Sequence, residues 1–207
     1  MRIRNALRES ALRNRRGLVS VAVVAVLTAL LAPGAAVAKK SGNHCISPAG
    51  DDLNEVFATN DAFVAPFCTE VRTGDRWRAV LRVQVAGSDY VFPAGYAPSR
   101  ALLDEDFLAK FVSGRFVVDA GTAQERSYTF PVSELVIQRG VLPDGSRFVR
   151  WVTPSMHPLP PGDHTLDEYV TLTADFWDGL GLDPAINLIP AGESFAGFVE
   201  FRVIKRP

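Results

Sequence analysis

The chain reads as a mostly β protein: an antiparallel β-sandwich with one short helix, following a cleaved signal helix. Three features point there. Arg76 to Val85 alternates with a period of two, placing Trp77, Ala79, Leu81, Val83 and Val85 on one face and Arg76, Arg78, Arg82 and Gln84 mostly on the other, the pattern of a half-buried strand in an antiparallel sheet. Several further short runs rich in β-branched and aromatic residues follow it. Turn chemistry separates those runs, at Ala120-Gly121-Thr122, Pro143-Asp144-Gly145-Ser146 and Pro160-Pro161-Gly162-Asp163.

Residues 1–38 have the make-up of an export signal. Arg2, Arg4, Arg8, Arg13, Arg15 and Arg16 face one acid, Glu9, and an uncharged stretch runs from Gly17 to Ala38. Ala36-Val37-Ala38 supplies the small-x-small pattern that a signal peptidase accommodates, which sets cleavage between Ala38 and Lys39. A retained anchor is disfavoured by Pro33-Gly34. The helix-competent part from Gly17 to Ala32 would be only about 24 Å long, against a hydrocarbon core of about 30 Å. The membrane is therefore met only transiently. Asn14 to Val19 resembles a twin-arginine signal, although an Arg-rich start produces that match easily and the general secretory route is the simpler reading.

Cleavage changes what remains. Of 207 residues, 169 are left; six of the 22 basic and one of the 23 acidic residues leave, so the mature chain carries 16 against 22. It is mildly acidic, with no basic excess to hold nucleic acid. Residues 39–75 are polar and irregular, and they contain both cysteines. An even count in an exported chain reads as one disulfide, Cys45 to Cys68, which ties down the segment with the least regular structure.

The sandwich domain is expected over 76–207. After the Arg76–Val85 strand, Ala101 to Val112 places Leu103, Phe107 and Phe111 at i, i+4 and i+8, with Asp104, Glu105 and Asp106 in the early turns. That spacing predicts a short helix capped by Ser99. Strands follow at Arg115–Asp119, Arg126–Phe130, Glu134–Gln138, Arg147–Val152, Thr165–Ala174 and Phe195–Ile204. The run Leu159-Pro160-Pro161-Gly162-Asp163-His164-Thr165-Leu166 resembles the Pro-Gly-x-Tyr/His corner leading into the penultimate strand of bacterial immunoglobulin-like and fibronectin-like domains. That resemblance covers about the last 50 residues and implies a sandwich, not an activity. His164 stands where Tyr is commoner, and the connection between the last two strands is long.

No constellation fixes a chemistry. The three histidines are His44, His157 and His164. Gly192 to Gly197 misses the G-x-S-x-G elbow by one residue and opens a strand rather than a strand-to-helix turn. His164 reads as a corner residue bonded to backbone, and His157 as an exposed loop residue. Asp51, Asp52, Glu55 and Asp61 lack the spacing of a calcium loop, and no metal or cofactor is expected. The arginines on the Arg76–Arg82 face read as the wet side of a sheet, balanced by acids on the neighbouring strand.

The segment Asp175 to Gly192 is long for a connection and too apolar for disorder. It either folds back over an open end of the sandwich or presents an apolar and aromatic surface, with Phe176, Trp177, Asp175, Asp178 and Leu182 as candidate binding residues. The expectation is an exported, non-enzymatic β protein acting through a surface on a protein or envelope component. A carbohydrate-binding module would need exposed Trp151, Trp177 or Tyr169. An exported hydrolase would need perturbed acids around Asp175 and Asp178.

Overall fold

The computed structural model describes residues 44–206. The segment read as an export signal, with the expected cleavage site at Ala38 and Lys39, lies outside the described residues. Strands dominate: β1 (Ala62–Val64), β2 (Glu70–Arg72), β3 (Trp77–Val85), β4 (Phe111–Val118), β5 (Arg126–Pro131), β6 (Val136–Val141), β7 (Arg147–Val152), β8 (Gly162–Leu172), β9 (Phe176–Trp177), β10 (Leu188–Ile189) and β11 (Gly192–Ile204). Short helices α1 (Leu53–Val56), α2 (Leu103–Lys110) and α3 (Pro184–Asn187) and a 3-10 turn at Val132–Glu134 complete the set among the described residues.

Two sheets carry the core, a four-stranded one ordered β1-β3-β7-β6 and a five-stranded one ordered β2-β11-β8-β4-β5. Most neighbours are antiparallel, as expected. Both sheets are nevertheless mixed, because β1 runs parallel to β3 and β2 parallel to β11. These two strands come from a segment the sequence reading left irregular. Each has three residues, too few to show a period, and each is held by a partner distant in sequence.

The inner faces meet through large aromatic side chains. Trp77 on β3 lies 5.7 Å from Phe201 on β11, and Trp151 on β7 lies 4.9 Å from Phe111 at the start of β4. Helix α2 covers one end, with Leu103 and Phe107 fully buried and Phe107 stacked on Trp151. Ser99 does not cap this helix. Its N–H and hydroxyl both donate to Asp106, at 2.6 Å, and Leu102 takes the cap position with no side-chain bond.

The outer face of the four-stranded sheet is not left to solvent. Cys45, Leu53, Phe63, Ala65, Val80 and Val152 form a second apolar cluster, and the Cys45–Cys68 disulfide closes that layer. The alternation in β3 is thus broken by Val80, which is buried although it shares a face with the arginines. Among the described residues no helix is long and apolar enough to cross a membrane.

Candidate functional site

The residues singled out in the 175–192 segment are not brought together as one site. Phe176 is fully buried edge-on against Phe107, at 5.2 Å, and Trp177 is 8% exposed with its backbone N–H donating to the Tyr96 hydroxyl. The acids serve the loop itself: Asp175 Oδ1 accepts from the Ala191 N–H at 2.9 Å, and Asp178 accepts from the Leu180 N–H and the Asn187 side-chain amide. Leu182 points outward with Leu180 and Ile186. Of the two alternatives, the aromatic start of the segment follows the first and folds into the core, so no aromatic surface is presented; its aliphatic tip stays exposed.

Beneath it lies a paired charge. Lys110 Nζ donates to Asp106 at 2.7 Å, to the Tyr96 hydroxyl and to the Asp175 carbonyl. Burial alone would raise the Asp106 carboxyl, but the bonds from Lys110 and Ser99 hold it below its ordinary value. Every member has a partner, so this network organises the end of the fold.

His164 bonds backbone as expected, with Nε2 2.9 Å from the Pro160 carbonyl oxygen, and its Nδ1 lies 2.8 Å from Asp119. A broad depression of about 700 Å³ opens over this pair, and its walls also carry the Arg202–Asp163 ion pair, Glu70 and Glu200. His157 is exposed and gives its carbonyl to the Trp77 indole N–H.

A smaller cleft of about 370 Å³ is different in kind. It lies beside β3 at Val80–Arg82, past the end of the β1 pairing, and opposite the stretch of β11 where the register with β8 shifts between Phe195 and Gly197. Its walls include Pro66, Phe67 and Leu81, and Glu168 of β8 lines it too. Glu168 occupies an inward position of β8, between Leu166 and Val170, and is 1% exposed. Its Oε1 is buried with no hydrogen-bond partner among the described residues. Gly197 makes the room: a Cβ there would fall 2.7 Å from Glu168 Oε2 and 3.4 Å from Leu81 Cδ1.

Electrostatics follow from that geometry. Removing a carboxylate from water without a compensating cation or donor favours its neutral form, and burial pushes the Glu168 carboxyl up to about 8. At neutral pH Glu168 is mainly a carboxylic acid, with an O–H to donate. It is the only acid among the lining residues, which otherwise carry two guanidinium groups, Arg82 and Arg150. Such a cleft can hold an apolar body and offer one hydrogen bond at its inner end.

Sequence reasoning passed over Glu168, although a signal was present: in Leu166-x-Glu168-x-Val170-x-Leu172 an acid takes an apolar slot. Of the aromatics proposed for sugar binding, Trp151 is fully buried and Tyr169 is half-buried, its ring covered by Arg115 at 3.9 Å. Comparison with family models, with curated proteins and with solved structures gives no match, so the reading of function rests on this geometry.

Proposed function

We propose that the mature chain is an exported, non-enzymatic binding protein whose ligand is a small molecule with a largely apolar body, held in the cleft by a hydrogen bond donated from protonated Glu168. The observation that carries this is the buried carboxyl with an unpartnered oxygen. Leaving such a group unsatisfied costs about 1 to 3 kcal/mol, and a group retained at that cost beside an open, mainly apolar cleft is the usual mark of a ligand site. The disulfide is compatible with an extracytoplasmic location. The scaffold is read as a two-layer sandwich of immunoglobulin-like outline; the long antiparallel pairing of β8 with β11 supports this, while the parallel edges β1 and β2 set it apart.

The test uses the neutral fluorophore N-phenyl-1-naphthylamine. The wild-type protein should bind it with one-to-one stoichiometry, Glu168→Leu should weaken displacement of the probe by ligands bearing a carbonyl or hydroxyl, and Ala196→Phe, which fills the cleft wall, should abolish binding. Probe binding that is indifferent to Ala196→Phe would overturn the proposal.

A further inference from the structure

The charge in the cleft narrows the ligand further. Arg82 and Arg150 stand directly opposite one another in the β3/β7 ladder, and like charges in that relation repel. The two differ in how they are satisfied. Arg150 is 3% exposed; its guanidinium donates to Gln138 and, at 3.3 Å, to Asp51. Burial draws it below its ordinary value, with Asp51 opposing and Arg82 adding to the effect. Arg82 is exposed and has neither a hydrogen bond nor an ion pair among the described residues. The arginines that precede it on the same face are matched, Arg76 to Ser155 and Arg78 to Asp61. The sequence-based expectation that acids on the next strand balance this row therefore fails at Arg82, where the next strand supplies another arginine.

Both guanidinium groups line the same cleft as Glu168. We infer that the cleft takes a soluble amphiphilic anion, its carboxylate, sulfonate or phosphate seated at Arg82 and Arg150 and its apolar body directed toward Glu168. This rests on the cleft being a ligand site. The planar fork of a guanidinium matches such oxyanions in two-point contact. Asp51 meets Arg150 from outside the cleft lining, and Glu168, the acid within the lining, is mainly neutral at neutral pH, so Arg82 offers an anion a cation that Asp51 does not engage.

A matched pair of probes tests this. 1-Anilinonaphthalene-8-sulfonate has the skeleton of N-phenyl-1-naphthylamine plus one anionic group, and each is titrated into folded protein checked by near-ultraviolet circular dichroism. The sulfonate should bind about tenfold more tightly, the value of one charge-assisted contact, and its advantage should shrink with added salt. Arg82→Gln should erase the advantage, weakening the sulfonate far more than the neutral probe, while Arg82→Lys should restore part of it. Equal affinities for the two probes, with both still blocked by Ala196→Phe, would overturn the anion and leave the cleft standing. Insensitivity of both probes to Ala196→Phe would remove the cleft and this inference with it. Arg82-dependent capture by phosphatidylglycerol vesicles, without binding of the soluble sulfonate, would also overturn it by assigning the arginines to a bilayer.

Discussion

Replacing Glu168 with glutamine keeps the shape and a hydrogen-bond donor but removes the titration, and its effect should depend steeply on pH. The carboxyl is held up to about 8 in the folded protein against 4.5 for the free side chain. Between those values the folded state retains a proton that the unfolded chain has released. The stability this confers is fully present below about pH 4.5, falls by about 1.4 kcal/mol per pH unit, and is lost above about pH 8. Over the whole window that amounts to about 5 kcal/mol. Urea unfolding of both proteins across this range measures it: Glu168→Gln should gain steadily on the wild type as pH rises, then run parallel to it at alkaline pH. Depressed acids such as Asp104 and Asp106 act at lower pH and are common to both proteins, so they cancel in the difference. Parallel curves throughout would refute the claim that Glu168 is buried without a compensating partner.

Three further outcomes follow from packing. Gly87→Ala should destabilise by about 1 to 3 kcal/mol in urea unfolding, because its Cβ would fall 1.9 Å from the Gly145 carbonyl oxygen, which belongs to backbone and cannot swing aside. Joint replacement of Cys45 and Cys68 by serine should cost about 3 kcal/mol by the chain-entropy argument and should lower the melting temperature to the value of the reduced wild type. Lys110→Met leaves Asp106 buried without its cation and should cost about 3 to 5 kcal/mol. Because Asp106 is depressed in the wild type, stability is present above its ordinary value of 3.8 and lost as pH falls through the lowered one. The acid unfolding midpoint of Lys110→Met should therefore move to higher pH.

Much of this fold is legible where a single chain segment carries its own evidence. The Arg147–Val152 strand has the expected bounds because each residue of that run favours a strand and turn residues flank it. Leu103 and Phe107 enter the core as their spacing predicts, and the even cysteine count predicts the bridge that closes. Legibility ends where a partner distant in sequence decides. β1 and β2 exist because β3 and β11 offer them an edge. Phe176 turns inward because Phe107 waits there, which no reading of the 175–192 segment alone could show. Ser99 spends its hydroxyl on Asp106 rather than on the helix end. Glu168 shows both halves of the lesson: its apolar slot on β8 could be counted in the sequence, whereas the register shift in β11 and the bare Cα of Gly197 that make room for it could not. The same holds for Arg82, whose lack of a partner depends on Arg150 being the residue across the ladder.

The central claim is that Glu168 is a buried acid that hands its proton's hydrogen bond to a ligand. Isotope-edited NMR of the Glu168 side-chain carboxyl carbon, followed through a pH titration of the free protein and of the protein saturated with 6-acetylnaphthalene-2-sulfonate, whose carbonyl lies at the opposite end from its anionic group, tests it most directly. The account predicts a midpoint at about 8 in the free protein, moving higher when a ligand oxygen accepts from the protonated form. A midpoint near the ordinary value of 4.5, or one that does not move on saturation, would contradict it.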